Sequence, residues 1–282
     1  MAEDAVFARF AGGPLALPAV TRVRLDSLLA DRGLFASRSR AAASVMAGEV
    51  RIGAHGQRAS KPGQLVDPEV ELHVDERPRF VSRGGQKLTN ALEALGLDPA
   101  GRRCLDIGAS TGGFTDVLLQ RGAAHVIALD VAYGELDWRL RGDERVTVIE
   151  RTNARSISPG DLPYRPDFIV ADVSFISLTK VLPAALACAD DRFDALAMIK
   201  PQFEVGRGKV GKGGVVRDVD DRRGALVTVA EAARGEGAAV LGFASSGLPG
   251  PKGNLETFVW LAEGGRAGEV DDLEAAVVEV EP

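Results

Sequence analysis

The sequence predicts an α/β protein: a doubly wound domain with a mainly parallel sheet, preceded by a small α+β module. Three observations predict it. From about residue 85 to 262, short apolar runs alternate with helical patterns. One of those runs ends in a glycine-rich turn that opens a helix. The first 75 residues instead hold two short helical patterns and alternating, turn-bounded strands. A chain of 282 residues leaves room for two such units.

The elements follow in order. Residues 1–21 mix Gly, Pro and Ala without a sustained period and read as a loose extension. Leu25, Leu28 and Leu29 recur at helical spacing until Arg32-Gly33 stops the helix. Ser37 is placed to cap a second helix that ends at Gly48. Glu49–Ile52 alternates as a strand, and Val70–Val74 forms another after the Lys61-Pro62-Gly63 turn. This module spans 22–75, and the polar run 76–83 reads as a linker. The larger domain, 84–263, opens with a helix over Gly85–Leu95. Its strands are expected at Arg103–Ile107, His125–Asp130, Val146–Glu150, Phe168–Asp172, Ala195–Ile199, Ala239–Ser245 and Thr257–Leu261. Residues 264–282 read as an acidic tail, either one amphipathic helix or a solvated strand.

Composition bounds the function classes. Hydrophobic residues at 45% and charged residues at 26% exclude wholesale disorder. No run of about 18 apolar residues exists, which excludes a transmembrane helix. The first ten residues carry acids where a signal peptide needs bases. Cys104 and Cys188 make no disulfide framework, so a reducing cytoplasm and no membrane partner are expected. The net charge of −6 is unevenly spread. Residues 263–282 hold seven acids against one base, whereas residues 22–61 hold eight bases against three acids. A basic module at one end is a footprint for an anionic partner that the overall charge conceals.

The sharpest local signal is LDIGASTGGFT, residues 105–115. An apolar strand runs into glycines, where missing side chains let backbone approach a nucleotide-like ligand. The spacing is G-x-x-x-G-G, unlike the G-x-G-x-x-G of dinucleotide sites, which argues against a nicotinamide cofactor. Asp130 ends the next strand, where a carboxylate can accept both ribose hydroxyls. The arrangement is similar to that of S-adenosylmethionine-dependent methyltransferases. Asn153 follows the third strand, Asp172 ends the fourth and Lys200 ends the fifth. A lysine directly after Ala195–Ile199 is odd for structure alone, since burying an unpaired ammonium costs several kcal/mol. Three scattered histidines, His55, His73 and His125, offer no metal-binding spacing, and no metal is expected.

Over residues 22–262 the chain resembles the TlyA family, an S4 RNA-binding domain fused to an FtsJ/RrmJ-like methyltransferase domain. The resemblance rests on RLDSLLADRGLFASRSRAAASVMAGEV, VSRGGQKL, LDIGASTGGFTD, ADVSFISL, IKPQFE and GNLETF, in that order. It implies a Rossmann-like methyltransferase fold, S-adenosyl-L-methionine as cofactor, and transfer to the 2′-hydroxyl of a cytidine in 16S or 23S rRNA. Ribosomal RNA or ribosomal subunits are the implied partners. Carried over residue by residue, the catalytic Lys-Asp-Lys-Glu tetrad falls on Lys87, Asp172, Lys200 and Glu256. The cofactor turn falls on Gly108, Ala109, Ser110, Thr111, Gly112, Gly113 and Phe114, with Asp106, Asp130, Asn153 and Asp172 around it.

Chemistry agrees with that set. A ribose hydroxyl is a poor nucleophile and a methyl sulfonium a ready donor, so the enzyme must align the reactants and relieve the oxygen of its proton. Lys200 is the expected base, unless it instead stabilises charge developing on the oxygen. Burial and a second ammonium favour a neutral lysine, and carboxylates oppose that while orienting it. For RNA, the expected contacts are Arg22, Arg24, Arg32, Arg38, Arg40, Arg51, Lys61 and Arg83, with Arg207, Lys209 and Lys212 in a loop that closes over substrate. Two other readings compete. One is an RNA-binding protein without catalysis, against which the intact tetrad argues. The other is a membrane-active haemolysin, for which no long apolar or basic amphipathic segment speaks.

Overall fold

A computed structural model describes residues 21–75 and 79–281. All of the expected N-terminal extension but Thr21 lies outside the described residues. The chain divides into two compact units, residues 1–77 and 78–282.

The first unit holds β1 (Val23–Arg24), α1 (Leu25–Asp31), α2 (Arg38–Met46), β2 (Val50–Ile52), β3 (Gln57–Arg58), β4 (Leu65–Val66) and β5 (Leu72–Val74). The Ser37 hydroxyl accepts the Arg40 amide and fixes the start of α2. β1 pairs antiparallel with β4, and β3, β2 and β5 form a second antiparallel sheet. Leu25, Leu28 and Leu29 of α1 pack on Ala41 and Val45 of α2 and on Val50 and Val66, a core supplied by the leucine stripe read in the sequence.

The second unit begins with α3 (Arg83–Leu95), β6 (Arg103–Ile107), α4 (Gly113–Gln120), β7 (His125–Leu129), α5 (Trp138–Arg141), β8 (Val146–Ile149) and β9 (Phe168–Ala171). It continues with α6 (Leu182–Cys188), β10 (Asp194–Ile199), α7 (Pro201–Glu204), α8 (Val219–Gly235), β11 (Ala239–Ser245), β12 (Thr257–Ala262) and α9 (Leu273–Val280). Seven strands form one sheet in the order β11-β12-β10-β9-β6-β7-β8. Its pairs are parallel except those of β12, which runs antiparallel to both neighbours. The strands read as continuous apolar runs because both faces are covered. Ala195, Ala197 and Ile199 of β10 face α6, α8 and α9 residues such as Ala185, Val229 and Val277. Leu196 and Met198 face Leu88, Leu92, Phe114 and Leu118 of α3 and α4.

Two expected boundaries move. Of the linker 76–83, residues 79–83 belong to the second unit: Phe80 is buried in its core, Ser82 caps α3, and Arg83 lies in the helix. Residues 76–78 lie outside the described residues. The acidic tail is no appendage either. Leu273 and Val277 of α9 are buried against α8 and β11, and the Glu281 carboxylate pairs with Arg222 at 2.9 Å. Leu273, Val277 and Val280 form a helical stripe, with Val270 packed beside it, that the intervening acids obscure in the sequence.

Candidate active site

Register assembles the site at one edge of the sheet. Ile107 pairs with Ala171, and Ala171 with Ala197, so Gly108, Asp172 and Lys200 all leave the sheet where the parallel strands end. β12 runs the other way, with Thr257 opposite Ile199. Glu256, just before its strand, therefore reaches the edge that the other residues reach just after theirs.

The turn between β6 and α4 uses left-handed backbone at Gly108 (φ +83°) and Gly112 (φ +94°), and Ser110 adopts +47°. A Cβ on Gly108 would collide with the Asp172 carbonyl oxygen, so two strand ends meet as closely as backbone permits. Asp130 Oδ2 accepts the Ser110 amide and Oδ1 the Ala132 amide, each at 2.7 Å. Beside this carboxylate lies a cavity of about 450 Å³ walled by Leu129, Val131, Val173 and Ile176, with Asn153 at its side. Aliphatic walls beside the Asp130 carboxylate and the Asn153 amide suit an adenosine, its ring on the apolar side and its ribose hydroxyls donating to Asp130. The donor set therefore fits the nucleoside of S-adenosylmethionine.

Asp106 takes a different place from the one expected. It is fully buried and outside both cavities. Its Oδ2 accepts the Thr115 amide at 2.8 Å and the Thr115 hydroxyl at 2.6 Å, tying α4 to β6 from behind the turn. Oδ1 is buried without a hydrogen-bond partner among the described residues, and burial pushes the carboxyl up to about 7. Gly112 also stands back from the cavities, packed against Leu136 and Leu140.

A second cavity, of about 690 Å³, shares Gly108, Ser110, Asp172, Ser174 and Phe175 with the first. Ala109, Thr111, Gly113 and Phe114 line it, and so do Lys87, Asp172, Lys200 and Glu256. The four expected catalytic side chains thus share one wall as two ion pairs. Lys87 pairs with Glu256, at 7% and 2% exposure. Lys200, at 9%, contacts Asp172 Oδ1 and donates to Ser174 Oγ at 2.9 Å. Removing one partner of such a pair strands a charge in a poorly solvated place. Gly250 serves the first pair, because a side chain there would overlap the Glu256 carboxylate.

Several residues of the site went unassigned in the sequence. Ser174 and Phe175 follow Asp172 in the quoted motif, and position alone could have included them. Phe175 is 92% exposed at φ +64°, with its ring 5.3 Å from that of Phe203. Glu204 accepts the Ser177 hydroxyl at 2.6 Å and the Leu178 amide at 2.9 Å, fastening this loop to the segment after Lys200. Burial raises the Glu204 carboxyl above its ordinary value.

The expected RNA contacts divide. Arg22, Arg24, Arg32, Arg38, Arg40, Arg51 and Lys61 are exposed in the first unit, but four of them also serve that unit's own structure. Arg24 grips Asp26 through two bonds, and Arg38 reaches the same carboxylate at 3.4 Å. The Arg24 guanidinium holds the Asp26 carboxyl down at about 2. Arg32 donates to the Val70 and Pro68 carbonyls, and Arg51 pairs with Asp75 at 2.9 Å. Arg83 belongs to the second unit, where it lines the larger cavity and donates to the Pro249 carbonyl at 2.9 Å. Lys209 is held by Asp221 at 2.6 Å. Among the described residues no cluster of His, Cys, Asp or Glu is placed to hold a metal, and no helix is long and apolar enough to cross a membrane.

Comparison with known proteins matches both units. Residues 80–263 match the FtsJ-like methyltransferase family and residues 23–72 the S4 domain. The chain is 51% identical over 259 residues to the 16S/23S rRNA (cytidine-2′-O)-methyltransferase TlyA of Mycobacterium tuberculosis, covering 91% of this chain and 96% of that protein. It is 41% identical over 197 residues to hemolysin A of Brachyspira hyodysenteriae, covering 70% and 81%. A solved structure from Streptococcus thermophilus, described as a hemolysin, superposes with a TM-score of 0.69 at 40% identity, covering 93% of this chain and 96% of that one. With the S4 domain, the FtsJ-like methyltransferase domain and 51% identity to TlyA all in one chain, it belongs to the TlyA family of FtsJ-like, S-adenosylmethionine-dependent methyltransferases.

Proposed function

We propose that this protein methylates the 2′-hydroxyl of a cytidine in ribosomal RNA, through Lys200 within the set Lys87, Asp172, Lys200 and Glu256. The single observation that carries the reading is the meeting of these four side chains on one cavity wall beside the glycine turn. Bound S-adenosylmethionine supplies an electrophilic methyl group. Asp130, Asn153 and the turn residues that line the cavities, Gly108 to Thr111, Gly113 and Phe114, hold the cofactor, and the larger cavity receives the target nucleotide.

The residues of the chain act on the hydroxyl. A neutral lysine amine has two N–H bonds, enough to serve Ser174 and Asp172, and one lone pair left to accept the 2′-hydroxyl proton. Asp172 aims the amine. Lys87, fixed by Glu256, adds positive potential where the oxygen gains negative charge. Phe175, exposed at the cavity mouth, offers a ring on which an unstacked base can rest. The exposed arginines of the first unit bind the RNA backbone.

The test is transfer of labelled methyl from S-adenosylmethionine to 30S subunits, 50S subunits and naked rRNA, followed by mapping. Label on a cytidine ribose is expected, lost in Lys200→Ala while cofactor affinity stays within about twofold. Label on a base, or a Lys200→Ala variant that still transfers, would overturn the reading. Loss of cofactor binding in that variant would assign Lys200 to the pocket instead of the chemistry.

A further inference from the structure

We propose that Asn254 is a positioning residue of this site: a latch that holds the glycine-rich loop 210–216 as the cavity wall on the target-nucleotide side and keeps Glu256 aligned with it. The proposal rests on the function proposed above for what that side of the cavity receives.

Asn254 is 2% exposed, and both ends of its amide are spent on the backbone of one loop. Oδ1 accepts the Val216 amide at 2.9 Å, and Nδ2 donates to the Gly214 carbonyl at 2.8 Å. A buried side-chain amide needs such partners, so the loop and Asn254 satisfy each other only in the closed arrangement. The loop is shaped to meet it. Gly213 and Gly214 stand at φ +87° and +81°, and interlocked turns join Gly211 to Val215 and Gly214 to Gly211, each at 3.0 Å. Val210, Gly214 and Asn254 line the larger cavity and none of them lines the adenosine cavity. The latch therefore governs one side of the site and not the other.

Glu256 is two residues on, and the burial pattern of 254–256, buried-exposed-buried, puts both side chains on the inner face. The segment that carries them is fastened on its other flank to one stripe of α3. Arg83 donates to the Pro249 carbonyl, Lys87 pairs with Glu256, and Asn90 donates to the Ser246 carbonyl at 2.9 Å, at i, i+4 and i+7. Segment 246–256 thus lies between a rigid helix and a loop, with Asn254 as its tie to the loop. Freeing the loop loosens the segment that presents Glu256 to Lys87.

The experiment compares the full-length protein with Asn254→Ala and Asn254→Asp, reading Val216 amide exchange, cofactor affinity and methyl transfer to rRNA. In Asn254→Ala the Val216 amide loses its acceptor and exchange there and at neighbouring loop amides should quicken at least tenfold, while β6 and β9 amides stay protected. Cofactor affinity should stay within about twofold, and kcat/KM for RNA should fall about 10- to 100-fold. Asn254→Asp keeps an acceptor for Val216 but sets a carboxylate against the Gly214 carbonyl, so it should fall between. Unchanged exchange at Val216, or faster exchange with normal transfer, would overturn the latch. Parallel loss of cofactor binding and of protection throughout the sheet would make Asn254 a general core residue and would also overturn it. A wild-type protein that transfers no methyl to any rRNA would sink the proposed function instead, a failure distinguishable because exchange and cofactor binding are read without RNA.

Discussion

The two units of this molecule handle charge in opposite ways. In the methyltransferase unit the charges of the candidate site are few, largely buried and matched one to one: Lys87 with Glu256, Lys200 with Asp172. In the S4 unit they are many, exposed and shared, with Arg24 and Arg38 on a single aspartate and Arg51 on another. A buried pair fixes positions to a fraction of an ångström but fails entirely when one member is lost. Exposed cations act as a field over a polyanion, where each contributes a little and salt weakens all of them together. Ion pairs thus stand under different dielectric conditions in the two units.

The largest effect should come from Glu256→Gln, which leaves the Lys87 ammonium buried without its counter-charge. We expect a stability loss of about 3–5 kcal/mol in denaturant titration and methyl transfer near background. A variant as stable as wild type would mean the pair is better hydrated than its burial implies, and the contrast between units would break. Next is Gly108→Ala. The added carbon meets the Asp172 carbonyl in a left-handed conformation, and cofactor affinity by calorimetry should fall at least about tenfold. On the exposed side, Arg38 and Arg40 replaced together by alanine should weaken rRNA binding and reduce the slope of log K against log salt by about two, with cofactor affinity untouched. An unchanged slope would remove those arginines from the interface.

The smallest effect, read over any one pH unit, concerns Asp106. Its carboxyl sits at about 7 in the folded chain because burial disfavours the charge, against roughly 3.9 when unfolded. Between those values the folded state holds the extra proton, so wild-type stability should fall as pH rises from about 4 to about 7, by on the order of 1 kcal/mol per unit, and level off above. Asp106→Asn should flatten that slope. Equal slopes in both proteins, by thermal unfolding across the window, would show that Asp106 is ionised where it lies.

Much of the fold is legible because strands covered on both faces are largely apolar, and the parallel β6 and the antiparallel β11 emerge with their boundaries as expected. What escapes depends on long-range pairing. The insertion of β12 between β10 and β11 leaves no mark on either strand's composition. A helix at α9 is one of the two readings the tail's pattern allows, and its attachment is hidden by the acids on its outer face. Within the site, Asp130 follows from strand-end logic. Asp106 does not, because whether a strand acid faces ligand or core depends on what covers it, here Thr115 of the following helix. Lys200 is marked by its place directly after a buried strand, whereas Lys87 and Glu256 came from family resemblance, since a pairing across 169 positions has no local signature. Asn254 needed the loop itself, since only its burial there distinguishes it.

The reversed strand also bears on the order in which the molecule comes into being. On a ribosome β11 emerges before β12, yet β12 must lie between β11 and β10. The nascent sheet has to hold a vacant lane, or trade an early pairing for a later one, until the last strand threads in. Glu256 arrives with that strand. A chain made only as far as β11 therefore holds Lys87 without its counter-charge.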